Sequence, residues 1–146
     1  MPAGFNVIRN AVDRGMKLVP VSSLTASVGD LLELIAGSAT WAKVTSSSNF
    51  FTRKAIVQTA ITSASFAEVI ELDGNEIVEA QSANASAAAD NGDRMAFTDE
   101  NTVNNSGTDV TGQAVGFVQD GVAGAAADNR IIGRVLVGNG VDPDAA

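Results

Sequence analysis

The sequence predicts an all-β fold, mainly β with at most one short helix. The expected form is a small β-barrel or sandwich-like module behind an extended N-terminal arm. Three observations predict it. Gly, Ser, Thr, Asn and Asp are abundant and cluster between short apolar segments, which is the composition of strands joined by many turns. Several segments alternate with period two, such as Thr40–Thr45 and Phe66–Leu72. Gly-Asp and Asp-Gly pairs stand at the ends of such segments, where φ > 0 is cheap at Gly and tolerable at Asp or Asn. The 146 residues fit one domain that can bury a core without staples.

Residues 1–20 read as the arm, 21–138 as the β-rich module and 139–146 as a flexible tail. In the arm, Phe5, Ile8 and Val12 stand three and four apart, Gly4 and Gly15 bracket them, and Pro20 closes the segment. A helix this short is marginal alone, so the segment is expected to be extended or to order on a partner. The other reading makes it the first strand or helix of its own module.

From Val21 onward the chain reads as successive strands. Leu31–Ala36 and Thr40–Thr45 are expected to form a hairpin around Gly37-Ser38. Phe50–Thr62 reads as one long strand with apolar residues on both faces, which predicts a buried or shared strand. Phe66–Leu72 and Glu76–Ala80 are expected to pair across the Asp73-Gly74-Asn75 turn. Residues 81–92 are a linker or a short helix, because the Ala run favours helix. Asp93–Thr98 is the next strand. Residues 99–111 form a polar loop too wet to be core. Gly112–Val118 and Ile131–Val137 finish the module, with Gly116 and Gly133 marking bulges or close packing. Ile131 is expected on a central strand.

The charge is unevenly divided. Residues 1–54 carry six basic side chains (Arg9, Arg14, Lys17, Lys43, Arg53, Lys54) against Asp13, Asp30 and Glu33. Residues 55–146 hold Arg94, Arg130 and Arg134 against fourteen acids, so the whole chain is −8. An acidic chain of this kind is not expected to bind nucleic acid, which requires clustered cations. No apolar run of the length needed to cross a bilayer occurs, and no secretory signal is read at the N-terminus. No membrane partner is therefore expected.

Catalysis is poorly supplied. His and Cys are absent, which removes the commonest general base, the commonest metal ligand and any thiolate chemistry. A Ser–Lys arrangement would have to use Lys17, Lys43 or Lys54, and the serines at 46–48 are better explained by turn formation. Glu68 and Glu71 differ in strand parity, as do Glu76 and Glu79, so neither pair shares a face on a regular strand. No phosphate-cradling glycine motif or calcium loop is complete. No enzyme, cofactor or metal site is predicted. Trp41, the lone Trp, reads as an amphipathic core residue in preference to a binding hot spot.

Three stretches carry a resemblance: GDLLEL (29–34), GDRMAF (92–97) and GQAVGFVQDGVAGAAADNRIIGRVLV (112–137). With them, roughly residues 20–137 resemble the small β-rich decoration, or cement, proteins of tailed-bacteriophage heads. The resemblance implies a non-enzymatic structural protein on the outer capsid surface of the virion. It would bind the major capsid protein, cement neighbouring subunits and stabilise the expanded head. It further implies self-association, with a homotrimer favoured over a dimer, and a terminal arm that grips the shell. By position, that arm is Phe5, Ile8, Arg9, Val12, Arg14, Met16 and Leu18. Two other classes fit the composition: a β-sandwich adhesion or fibre module binding a ligand through loops such as 99–111, and a tube subunit.

Overall fold

The computed structural model describes residues 4–9, 15–105, 115–123 and 129–138. The fold is all-β. Its strands are β1 (Phe5–Arg9), β2 (Lys17–Ala26), β3 (Leu31–Leu34), β4 (Ala42–Lys43), β5 (Arg53–Val57), β6 (Ile61–Glu71), β7 (Ile77–Ser82), β8 (Arg94–Asp99), β9 (Thr102–Asn104), β10 (Phe117–Ala123) and β11 (Arg130–Val135). The Ala run of residues 81–92 yields a single 3-10 turn, Ala88–Asp90.

Two sheets share these strands. The first runs β1-β7-β11-β10-β8-β9 and comes back on itself through a parallel β7–β9 pairing, giving a nearly closed barrel. The second runs β2-β6-β5-β3-β4. Its two ends are tied by a bridge between Val21 and Trp41, with the Trp41 amide donating to the Pro20 carbonyl at 2.9 Å.

Period-two alternation explains how the sheets join. On β3 and β5, Leu32, Ala55 and Val57 point into the second sheet's own core with Val19, Val21, Trp41, Ala67 and Val69. Leu31 and Ile56, on the opposite face, pack with Phe97, Phe117, Ile131 and Val135 of the first sheet. β5 is thus buried on both faces, as its two-sided apolar content predicted. Trp41 is a core residue, 4% exposed, with the Arg53 guanidinium 5.4 Å from its ring centre.

β11 lies between β7 and β10, so Ile131 is on a central strand and is fully buried. Two glycines make its neighbourhood feasible. A Cβ on Gly133 would sit 2.0 Å from the Val118 carbonyl oxygen, and one on Gly116 would sit 2.2 Å from the Phe97 ring.

Several expectations are corrected. Phe66–Leu72 and Glu76–Ala80 do not form a hairpin. β6 pairs with β2 and β5 while β7 pairs with β1 and β11, so Asp73-Gly74-Asn75 is a corner between sheets. Glu76 builds that corner: its buried carboxylate accepts the amides of Asp73 (3.0 and 3.1 Å) and Gly74 (3.1 Å). The expected long strand Phe50–Thr62 is two strands, because the chain breaks at Gln58–Ala60 and β6 starts at Ile61. The polar stretch 99–111 is not all loop. β9 lies inside it, and Val103 is fully buried where β9 meets β7 and β8.

The N-terminal segment is corrected in part. Phe5–Arg9 pairs with β7 instead of standing off the module, and Phe5 is buried with its ring edge-on to Phe97 at 5.8 Å. β2 begins at Lys17, so a strand runs through the expected arm boundary at residue 20. The tail at 139–146 lies outside the described residues.

Candidate functional site

The face of the second sheet that packs on the first is only half covered. Ile56 is the direct partner of Ile70 across the β5–β6 pair, so both belong to that face. Alternation along β6 puts Phe66 and Glu68 there too. The β2 register, Leu18 opposite Glu68 and Pro20 opposite Phe66, adds Leu18 and Pro20. At β3 and β5 the first sheet covers this face. At β2 and β6 it does not: Leu18 is 68% and Phe66 is 60% exposed, and Met16, in step with Leu18, is 60% exposed.

Isolated exposed apolar side chains are ordinary on a protein surface, but a group of large ones on one regular sheet face is the mark of an interaction site. Phe66 and Leu18 sit diagonally across a paired ribbon, within reach of each other's neighbours. The face grades into a shallow groove of about 100 Å³ between the sheets, lined in part by Val7, Val28, Gln58 and Ile70.

An ion network lies on the opposite face of the same strands, the face of Val19, Ala55 and Val69. Glu71, at the end of β6, accepts both the Nε and Nη2 of Arg53 at 2.8 and 2.9 Å and also pairs with Lys17. Burial pushes the Glu71 carboxyl up, but the hydrogen bonds and charges of Arg53 and Lys17 outweigh it and hold it below the usual range. The same hydrogen bond raises the Arg53 guanidinium. Glu68 accepts the Thr59 hydroxyl at 2.7 Å. These carboxylates therefore have structural partners that tie β2, β5 and β6 together.

Of the arm residues named from the sequence, Leu18 stands on this face and Met16 is exposed just before β2. Ile8 is exposed on β1, on the first sheet. Phe5 is core and leaves the set, because its ring is committed to Phe97 and Phe117. Arg9 belongs to β1 by its main chain. The Arg9 side chain, Val12 and Arg14 lie outside the described residues. Phe66 is the residue that sequence reasoning missed. Parity gave no clean signal, because Phe66 shares its strand face with Glu68 but also with Ile70 and the buried Leu72.

No family model, curated protein or solved structure matches the chain.

Proposed function

We propose that this protein is a non-enzymatic decoration protein. It binds the outer surface of a bacteriophage capsid, contacts the major capsid protein and cements neighbouring subunits of the expanded head. The observation that supports this reading is the uncovered half of the second sheet's face, where Leu18 and Phe66 stand exposed on a paired ribbon with exposed Met16 just before it. Docking surfaces built on regular strands are more exact than those on loops. Burying large apolar side chains contributes about 1.5–3 kcal/mol each when complete, less the cost of association. Many copies acting on one shell multiply a modest gain per copy.

The acidic remainder suits an outer face turned to water, where net charge opposes nonspecific aggregation. A homotrimer, with a dimer as second choice, is the self-association proposed. A ligand-binding loop module is less favoured, because β9 and the buried Val103 take up part of the stretch such a module would use.

The experiment is addition of purified protein to capsid shells before and after expansion, followed by sedimentation and electron microscopy. The expected result is co-sedimentation with expanded shells and regular added density on their outer surface. Protein left in the supernatant with both kinds of shell would contradict the proposal.

A further inference from the structure

Three buried polar groups, from β3, β5 and the loop between β4 and β5, lie together at one corner, and docking gives no reason for them. Lys54 is fully buried, and its ε-nitrogen donates to the main-chain oxygens of Asn49 (2.7 Å), Thr52 (3.2 Å) and Leu136 (3.3 Å). The side-chain Oδ1 of Asn49 is buried and has no hydrogen-bond partner among the described residues. Glu33 is the cross-strand partner of Lys54 and is itself buried. It accepts the Thr52 hydroxyl at 3.0 Å and the Ser48 hydroxyl. A buried ammonium, an orphaned amide oxygen and a buried carboxylate are each costly. Their concentration in one corner of the seam between the sheets asks for a chemical reason.

We propose that Lys54 and Asn49 are the partners of an intramolecular isopeptide bond, with Glu33 as the proton shuttle. The unprotonated ε-nitrogen of Lys54 attacks Cγ of Asn49, and a C–N bond forms. Glu33 takes the proton from the attacking nitrogen and delivers it to Nδ2 as the Cγ–Nδ2 bond breaks and ammonia leaves. An amine and a primary amide become a secondary amide and ammonia. The step needs no oxidant, reductant or co-reactant.

The arrangement meets the requirements of such a step. The nucleophile already touches Asn49's own main-chain oxygen, which holds it at the residue whose carboxamide it attacks. Glu33, directly across the strand pair from Lys54, opposes its charge and is fixed by two hydroxyls. Desolvation lowers the Lys54 ammonium to about 8 against the opposing pull of Glu33. Burial therefore makes the unprotonated amine easier to reach than in a free lysine. The product has no buried ammonium. It also closes the loop that receives the end of the described chain, where the Gly138 amide donates to the Thr52 oxygen at 3.1 Å.

Intact-mass and peptide mapping of the full chain, held for days about one unit above that value, decide the matter. The expected result is a mass lower by one ammonia. Trypsin cuts after Lys43 and Arg53, so a free side chain gives Val44–Arg53 as a separate peptide, whereas the linked chain gives a branched peptide joined through Lys54. Glu33→Gln should slow the step roughly a hundredfold. Asn49→Ala should keep its full mass while folding normally, since Lys54 uses only the main chain of Asn49. Full mass with separate peptides in the parent chain would overturn the proposal. So would ammonia loss that maps elsewhere, such as to Asn91-Gly92, or that survives in Asn49→Ala.

Discussion

Ile56 and Phe66 lie on the same face of the same sheet, yet one is fully buried and the other is 60% exposed. Around Ile56, Leu31 and the first sheet's Phe97, Phe117 and Ile131 complete a packed seam. Around Phe66, the neighbours are Leu18, Pro20 and Glu68 on an uncovered ribbon. The alternation that makes a core at β3 and β5 makes a surface at β2 and β6. The difference lies in what covers the face, not in the local sequence. Covered residues should therefore govern folding, and uncovered ones should govern association.

The largest effect expected is at the covered end. Ile131→Asp puts an unpaired charge at the centre of the first sheet, at a cost of roughly 3–5 kcal/mol or more. Circular dichroism should show loss of the folded state, and an unchanged melting temperature would break the comparison. Ile56→Ala should cost about 2–5 kcal/mol by denaturant titration, since it empties a site in the seam. A cost indistinguishable from that of Phe66→Ala would mean that the seam is not packed as described.

The buried Lys54 gives a pH test of the same seam, best made in Asn49→Ala so that the amine stays free. Its folded value, about 8, is below the ordinary 10.5. Between those values the unfolded chain binds more protons than the folded one, so stability rises with pH across that window. The gain is about 3 kcal/mol at most, and below about 8 the full penalty of the buried charge is present. Stability that falls from pH 8 to pH 10 would contradict the burial of Lys54.

Smaller effects belong to side chains in contact with water on either face of β2 and β6. Glu71→Gln removes a carboxylate held below its usual range, so its contribution is present above the ordinary value and lost as pH falls through the folded one. With Arg53 and Lys17 both partly in water, the loss should be below about 1 kcal/mol. Phe66→Ala should change stability by no more than about 0.5 kcal/mol.

The covered side was the more legible in sequence. The two-sided apolar pattern of Ala55, Ile56 and Val57 announced a shared strand, and Gly116 and Gly133 announced close packing, because period and glycine sterics are local properties. Partner choice was not local. Asp73-Gly74-Asn75 has the chemistry of a hairpin turn, but the buried Glu76 side chain satisfies its amides and frees β6 and β7 to join different sheets. Phe5 read as part of an arm because its burial depends on Phe97 and Phe117, which are distant in sequence. On the candidate site, Met16 and Leu18 were read from position alone. Phe66 was missed because an aromatic residue in an alternating strand has the pattern of a core residue until its partner face is known.

The most direct measurement is the occupancy of expanded capsid shells by a Leu18→Ser, Phe66→Ser double variant, compared with the parent chain at matched folded concentration. If the uncovered face is the docking surface, thermal unfolding should match the parent within error while affinity falls by about a hundredfold or more. Full occupancy at the parent's concentration, with unfolding equally unchanged, would contradict the account.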